Sequence, residues 1–283
     1  MPHLINWLKA CEVCPNFCRV NRLAGEKGRC RVGAEILVSQ ACLHFGEEPM
    51  LVGHSGSGTI FFTACNLECV FCQNYDISQL DYGRKISPAD LLRLIFALEK
   101  ACALNINLVS PTHQAPQIFT VIKQAKEAGL KIPVVYNCGG YENPDFLKEL
   151  EGLVDIYMPD FKYGTDERAQ EFSKVANYVT WAQQAIKEMY RQVGDLKLNS
   201  AGIATGGLLV RHLVLPGLIE ESKAVLDFLA SAISLNTVIN IMDQYQPSYK
   251  AHDYPLLRRR VFKSEVDEVR EYAEKIGFRR ILS

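Results

Sequence analysis

Cys65-Asn66-Leu67-Glu68-Cys69-Val70-Phe71-Cys72 is the stretch that decides how the rest of the chain is interpreted. Its cysteines have the spacing C-x3-C-x2-C and directly follow the apolar run 59–62. Three thiolates on a short loop can hold three irons of a cubane [4Fe–4S] cluster, which usually takes a fourth thiolate. No fourth cysteine lies nearby, so one iron would stay open to an exogenous ligand, as in a catalytic metal site. Buried metal-free cysteines or a three-ligand zinc site are the alternatives, although zinc loops favour C-x2-C pairs closed by further Cys or His.

The composition is that of an ordinary globular protein. Of 283 residues, 48% are hydrophobic and 22% are charged, which suits one large α/β barrel or two domains. The net charge of −1 gives no reason to expect nucleic-acid binding, and no apolar stretch is long enough to span a membrane. The start of the chain lacks a signal-peptide pattern. Ten cysteines therefore indicate metal ligands in a reducing, cytoplasmic location.

A second group of cysteines lies in residues 1–50, which we predict to be a separate N-terminal module. Its four cysteines have the spacing C-x2-C-x3-C-x11-C: Cys11, Cys14, Cys18 and Cys30. They could close a tetrahedral zinc site or ligate a second iron–sulfur cluster. Thiolate softness suits both metals; we favour zinc slightly, and a metal-free loop is the remaining alternative. Four arginines would offset the charge of a thiolate-bound metal, or else lie in solvent: Arg19, Arg22, Arg29 and Arg31.

Residues 51–283 alternate strand-like apolar runs with segments of helical period. We predict strands over 59–62, 106–110, 133–137, 155–159, 208–215 and 238–242. We predict helices over 88–103, 116–128, 144–150, 167–193, 220–233 and 264–276. Repeated βα units imply parallel strands with right-handed crossovers. Six units are fewer than the eight of a complete TIM barrel.

Polar residues follow the predicted strands, where βα barrels place their active sites. They could hold a zwitterionic ligand, although a turn or helix cap explains any single one equally well. The candidates, in chain order, are Asn74, Thr112, Asn137, Asp160, Lys162 and Arg211. His113 and His212 lie near the same strand ends, and we assign neither a catalytic role.

The cysteine motif, with an aromatic residue before its last cysteine, resembles that of the radical S-adenosylmethionine (radical SAM) superfamily. The resemblance implies that SAM occupies the open iron through its amino and carboxylate groups. An electron from the cluster then splits SAM to a 5′-deoxyadenosyl radical. It also implies an α/β fold, a partial (β/α)6 TIM-type barrel over residues 51–283 that is open to substrate and follows the small N-terminal cysteine-rich metal-binding module.

Several segments look like the activating enzymes of glycyl radical enzymes, the pyruvate formate-lyase activating enzyme type. They are residues 69–74, Asp160-Phe161-Lys162, 211–217 and 255–259, within a resemblance that covers residues 59–280. It implies a set of SAM-contacting residues: Phe71, Asn74, Thr112, Asn137, Asp160, Lys162 and Arg211. Residues 110–113 replace the family's Gly-Gly-Glu, and Asn137 replaces an aspartate. Binding of the family's monovalent cation, near Met158, Asp160 and Asn137 by position, is therefore left open.

The resemblance implies a hydrogen-abstracting, oxygen-sensitive enzyme, and no general base is needed for that reaction. The expected substrate is a polypeptide such as a glycyl radical enzyme. We expect a flavodoxin- or ferredoxin-type electron donor and a monomeric protein. Modification of a small molecule is one alternative. A non-catalytic iron–sulfur electron-transfer or scaffold protein is the other.

Overall fold

The centre of the molecule is a sheet of mostly parallel strands, which follow one another along the chain as the sequence predicts. The structure is a computed structural model that describes residues 2–282. Its strands are β1 (Ile36–His44), β2 (Ser57–Phe62), β3 (Arg84–Ile86), β4 (Ile106–Val109), β5 (Val134–Cys138), β6 (Ile156–Pro159), β7 (Lys197–Leu198), β8 (Ala204–Leu213), β9 (Val238–Met242) and β10 (Ile281–Leu282). All six predicted strands are present, with ends shifted by a few residues.

Helices alternate with these strands along most of the chain. They are α1 (Pro2–Asn6), α2 (Pro49–Val52), α3 (Tyr75–Ser78), α4 (Pro88–Lys100), α5 (Ala115–Glu127), α6 (Pro144–Lys148), α7 (Asp166–Ser173), α8 (Tyr178–Val193), α9 (Ile219–Ala232) and α10 (Lys263–Ile276). The start of α4 shows how local sequence sets a boundary: Ser87 and Asp90 form a capping box, and Pro88 occupies the first turn.

The central sheet is mostly parallel. Its order is β10-β9-β8-β6-β5-β4-β2-β1-β3, and every neighbouring pair from β2 to β10 along this order is parallel. The predicted α/β fold with a partial TIM-like barrel is therefore confirmed. Since all six barrel strands point the same way, the loops that follow them meet at one end of the barrel.

The N-terminal region joins this sheet. β1 pairs antiparallel with β2, so that Leu43 lies opposite Gly58, and β3 pairs antiparallel with β1. Residues 36–44 thus extend the barrel sheet, whereas the sequence predicts a connection over 31–58 with a short strand over 35–39. The boundary at residue 50 between module and barrel stays a prediction.

The predicted helix over 167–193 is wrong in one respect, because it is two helices. The chain breaks between α7 and α8, where Lys174 and Asn177 adopt left-handed backbone angles, with φ of 60° and 54°. The sequence also predicts that the charged segment 166–191 is a solvated helix face, but this segment has a buried side as well, since Tyr178 and Met189 of α8 are fully buried. The polar composition hides the break, because neither glycine nor proline marks it.

Two apolar layers surround the sheet. The larger lies between the strands and the helices, and the smaller fills the barrel interior with side chains such as Val135, Met158 and Leu209. Leu51 of α2 packs into the smaller cluster, and its carbonyl accepts from Asn105 at 2.8 Å. Asn105 directly precedes β4, so α2 closes the N-terminal end of the barrel and leaves the opposite end for polar side chains.

Candidate functional site

The loop after β2 carries the three cysteines and is fastened to the end of α7. The backbone N–H groups of Glu68 and Val70 donate to the carbonyls of Ser173 and Phe172, at 3.2 and 2.8 Å. Because α7 stops at Ser173, its last carbonyls are free for these bonds. The helix break thus positions the cysteine loop.

The three cysteine sulfurs each have a hydrogen-bonding partner. Ser173 Oγ lies 3.0 Å from Cys69 Sγ, Ser78 Oγ lies 3.2 Å from Cys72 Sγ, and the Leu67 N–H donates to Cys65 Sγ at 3.4 Å. Hydrogen bonds to ligating sulfurs are a normal part of iron–sulfur sites. Neither serine is predicted from the sequence: Ser173 lies about a hundred residues from the motif, and Ser78 has no distinguishing pattern.

Burial governs the ionisation of these thiols. It raises the pKa of Cys65 to about 12 and that of Cys69 to about 11. Repulsion from Cys69 and Cys72 raises the pKa of Cys65 further. Such thiols become anions only when a bound cation compensates them. This donor set of three thiolates with adjacent hydroxyl and amide donors fits a [4Fe–4S] cluster.

A cavity of about 240 Å³ opens beside this loop. It contains five of the predicted cofactor-binding residues: Phe71, Asn74, Asp160, Lys162 and Arg211. It also contains Cys69 and Cys72 and several residues that the sequence analysis does not single out: Gln73, Leu213, Met242 and Gln244. The barrel topology explains why Met242 and Gln244 line the cavity, since β9 ends at Met242.

Asp160 is the centre of a buried ion-pair network at this cavity. Its carboxylate accepts from Lys162 Nζ at 2.5 Å and from Arg211 Nε at 2.8 Å. Arg211 Nη2 also donates to Asn137 Oδ1 at 2.7 Å, and Nη1 lies 3.7 Å from Glu47. Burial alone would raise the pKa of Asp160, but Arg211 and Lys162 outweigh it and hold that pKa below its usual value. The carboxylate is therefore ionised at neutral pH.

The two cations of the network also keep their charge. Burial disfavours the charged forms of Lys162 and Arg211, but Asp160 outweighs it and raises the pKa of both. Two cations and one carboxylate therefore face the cavity. That arrangement complements a ligand that carries both a carboxylate and an amino group.

The backbone around Asp160 is held from α8 and from the loop after β5. Tyr178 Oη donates to the Gly139 carbonyl at 2.9 Å and accepts from the Lys162 N–H at 2.9 Å. Gly140 has a φ of +79°, and a Cβ there would lie 2.2 Å from the Asp160 carbonyl oxygen. Only glycine allows this close approach.

Two predicted contacts lie outside the cavity lining. Thr112 is buried and donates to the Glu142 carboxylate at 2.7 Å, which also accepts from Tyr136 at 2.8 Å. Since Tyr136 packs against Phe119 of α5, this group lies between the sheet and the helices. Thr112 is therefore not placed to contact a ligand in the cavity. Asn137 reaches the cavity only through its bond to Arg211.

Both histidines near the strand ends have structural partners. His113 Nε2 lies 2.8 Å from the Thr63 carbonyl, and His212 bridges the Phe161 carbonyl and Ser222. Burial lowers the pKa of His113 to about 3. Burial lowers the pKa of His212 as well, and neither histidine is part of the cavity lining.

Three of the four N-terminal cysteines, Cys11, Cys14 and Cys30, are buried, and Cys18 is partly exposed. Burial raises the pKa of Cys14 and of Cys30. Across residues 2–282, no three Cys, His, Asp or Glu side chains converge tightly enough to hold a single metal ion.

The N-terminal module contacts the cysteine loop directly. Asn16 Nδ2 donates to the Asn66 carbonyl at 2.9 Å and lies 3.6 Å from Cys14 Sγ. Arg29 forms an ion pair with Glu68 at 2.9 Å. Asn66 and Glu68 both lie between Cys65 and Cys69, so one side of the loop rests on the module.

Comparison with known proteins agrees with this architecture. The family model described as the radical SAM superfamily matches residues 59–229. An uncharacterized protein of Methanocaldococcus jannaschii, MJ0674, is 35% identical over 280 residues, which is 95% of this chain and 76% of that protein. The match thus extends beyond the barrel into the N-terminal region.

Similar folds are found among solved structures. Streptococcus suis SuiB bound to the precursor peptide SuiA matches 75% of this chain with a TM-score of 0.52, and SuiB bound to S-adenosylmethionine matches 75% with a TM-score of 0.51. Identity is 13% in both cases, and the chain spans 44% and 45% of those proteins. These similarities concern the fold. Among residues 2–282, no helix has the length and apolar character needed to cross a membrane.

Proposed function

Because this chain belongs to the radical SAM superfamily, we propose that it is an oxidoreductase similar to the activating enzymes of glycyl radical enzymes, with a polypeptide as substrate. The observation that carries the proposal is the placement of Asp160, Lys162 and Arg211 in one cavity with Cys69 and Cys72. Cys65, Cys69 and Cys72 would hold the cluster, and Asp160, Lys162 and Arg211 would bind the carboxylate and amino groups of SAM in the adjoining cavity.

The protein's contribution is to bind and orient SAM and to shield its site from water. When bound, the cluster supplies the electron that splits SAM into methionine and a 5′-deoxyadenosyl radical, which abstracts hydrogen from the substrate. Lys162 and Arg211 attract the SAM carboxylate, and Asp160 holds both cations in position. Phe71, which packs edge-on against Tyr245, shields the site from water. In this arrangement Lys162 and Arg211 already neutralise Asp160.

A polar groove supports a polypeptide substrate. It has a volume of about 450 Å³ and shares Gln73 and Gln244 with the SAM cavity. Its remaining lining consists of Asp243, Tyr245, Gln246, Arg260 and Val261. Backbone amides of an extended peptide find hydrogen-bond partners along such a wall. The fold of SuiB, which has been crystallised with a precursor peptide, can hold a peptide.

The other parts of the proposal concern the N-terminal cysteines and the partners. Cys11, Cys14, Cys18 and Cys30 bind a separate metal centre, either zinc or a second iron–sulfur cluster. A flavodoxin- or ferredoxin-type protein delivers the electron, and the enzyme acts as a cytoplasmic monomer.

Anaerobic SAM cleavage tests the proposal. Reconstituted and reduced with dithionite, the protein should convert SAM slowly to 5′-deoxyadenosine even without substrate. The variant with alanine at Cys65, Cys69 and Cys72 should lose about four irons and all cleavage. An iron-loaded, reduced wild type that makes no 5′-deoxyadenosine would favour a scaffold or electron-transfer protein. Deuterium transfer from labelled peptides, but not from metabolite mixtures, would distinguish a polypeptide from a small-molecule substrate.

A further inference from the structure

Arg22 is a charged side chain enclosed between the N-terminal module and the barrel. Only 1% of its surface is exposed. Nε and Nη2 donate to the Gly33 carbonyl at 2.9 and 2.6 Å, and Nη1 donates to the His113 carbonyl at 2.7 Å. These acceptors are neutral. Within the part of the chain that the structure describes, no carboxylate lies within 4.0 Å of the guanidinium, since every ion pair there involves another cation. Burying an unpaired cation is unfavourable.

Among the groups that the Arg22 guanidinium contacts, the Cys11 sulfur is the one that can become negatively charged. Nη1 lies 3.6 Å from Cys11 Sγ. The buried guanidinium therefore faces one of the four N-terminal cysteines directly. Of the arginines in the module, Arg19 provides the contrast, because its side chain is 73% exposed and pairs with Glu12.

N–H donors lie at three of the four sulfurs. Besides Arg22 at Cys11, the backbone N–H of Arg29 donates to Cys18 at 3.2 Å, and the side-chain amide of Asn16 lies 3.6 Å from Cys14 Sγ. Cys65 likewise accepts from the backbone N–H of Leu67. N–H donors around several sulfurs stabilise ligating thiolates, which are stronger acceptors than thiols.

We propose that the N-terminal centre is an anionic metal–thiolate centre whose charge is balanced by the buried guanidinium of Arg22. The inference rests on the proposed metal centre and holds for either metal, because four thiolates leave an excess of negative charge around Zn²⁺ and around a [4Fe–4S]²⁺ core alike. Each thiol releases its proton to solvent as the metal binds. Since Arg22 also donates to His113, the same side chain joins the occupied module to the barrel.

Metal retention tests the role of the charge. Arg22→Met keeps much of the apolar stem and removes the charge, so we expect metal at the N-terminal cysteines to be lost to a competing chelator at least about tenfold more readily. Arg22→Lys should retain more metal than Arg22→Met, and Arg19→Met should equal the wild type. Equal retention in Arg22→Met and the wild type would overturn the inference. The readout is elemental analysis of purified protein, with the iron at Cys65, Cys69 and Cys72 as internal reference.

A second measurement decides the case if Arg22→Met is unstable. Arg22→Met is combined with serine at Cys11, Cys14, Cys18 and Cys30, and thermal unfolding is followed in all four combinations. The substitution should lower the melting temperature in the wild type and should raise it or leave it unchanged in the four-serine background. An equal loss in both would mean that Arg22 acts through its carbonyl bonds alone. If the wild type and the four-serine protein hold the same metal, the proposed centre itself fails, which is a separate result.

Discussion

Asp160 is the residue on which the proposed SAM site most depends. Asp160→Asn removes the charge that holds Lys162 and Arg211, and charge-assisted hydrogen bonds contribute ~1.5–3 kcal/mol. We therefore expect SAM affinity and 5′-deoxyadenosine formation to fall by about ten- to a hundredfold. Iron content should stay unchanged, because Asp160 is not a cluster ligand.

The matched control for this variant is Asp227→Asn, an exposed carboxylate that accepts from Tyr272. It should bind and cleave SAM as the wild type does. If Asp160→Asn is folded, fully loaded with iron and as active as the wild type, the transfer of activating-enzyme residues onto this chain is wrong. Membership of the superfamily would not be affected.

Glu142 gives the protein a pH-dependent stability. Burial raises its pKa to about 7, although Thr112 and Tyr136 donate to it and lower the pKa in part. A carboxyl whose pKa is raised on folding contributes stability that is complete below its unfolded pKa and is lost as pH rises through the folded value. Stability should therefore decline between about pH 4.5 and 7.5, by on the order of 3 kcal/mol at most.

Denaturant unfolding at a series of pH values measures this effect. The difference in the free energy of unfolding between the wild type and Glu142→Gln should change with pH between about 4.5 and 7.5, since the amide cannot ionise. The control Glu268→Gln changes an exposed carboxylate that pairs with Lys223. Its free energy of unfolding, plotted against pH, should run parallel to that of the wild type. A parallel curve for Glu142→Gln would show that Glu142 does not titrate there.

At the scale of elements, the break between α7 and α8 organises the site. It ends α7 at the carbonyls that hold the cysteine loop, and it starts α8 at Tyr178, which holds the Asp160 segment. Asn177 lies in this break with a φ of 54°. A β-branched residue tolerates that conformation poorly, at a cost of roughly 1–2 kcal/mol.

Two substitutions at this exposed position test the role of the break. Asn177→Val should lower the free energy of unfolding by about that amount and should make the cluster more labile to air. Asn177→Gly should be as stable as the wild type or slightly more so, because glycine adopts the conformation without strain. Equal stability of the two variants would show that the left-handed turn is not strained. Chemical denaturation of the iron-loaded proteins provides the comparison.

At the scale of the whole molecule, we expect two metal centres in one folding unit. Replacing Cys11, Cys14, Cys18 and Cys30 by serine in the full chain should remove one metal site and leave the iron at Cys65, Cys69 and Cys72. Truncation is a poorer test, because it would also remove β1, which pairs with β2. Without metal in the N-terminal module, the four-serine variant should melt at a lower temperature than the wild type. The reason is that the module supports the cysteine loop through Asn16 and Arg29. An unchanged metal content would mean that these cysteines bind none.

The sequence by itself determined the order of strands, the cysteine loop and most of the cavity lining. These features are local or periodic: buried parallel strands are continuous apolar runs, and active-site residues follow them at one end of the barrel. Asn74, Asp160, Lys162 and Arg211 were found in this way and Phe71 through the resemblance to the activating enzymes, and the structure places all five in the same cavity. The capping box at Ser87 is likewise a local sequence feature, and it sets the start of α4.

Tertiary structure alone decided the features that depend on contacts between distant segments. The strand at 36–44 adds to the sheet because its partner β2 is available, and the helix break is stabilised by the cysteine loop that packs against it. Thr112 turns towards Glu142, and Arg22 becomes buried against His113. A sequence pattern states which residues are near in the chain. Burial and pairing with groups up to about a hundred residues away then fix where their side chains point, because buried polar groups must find partners.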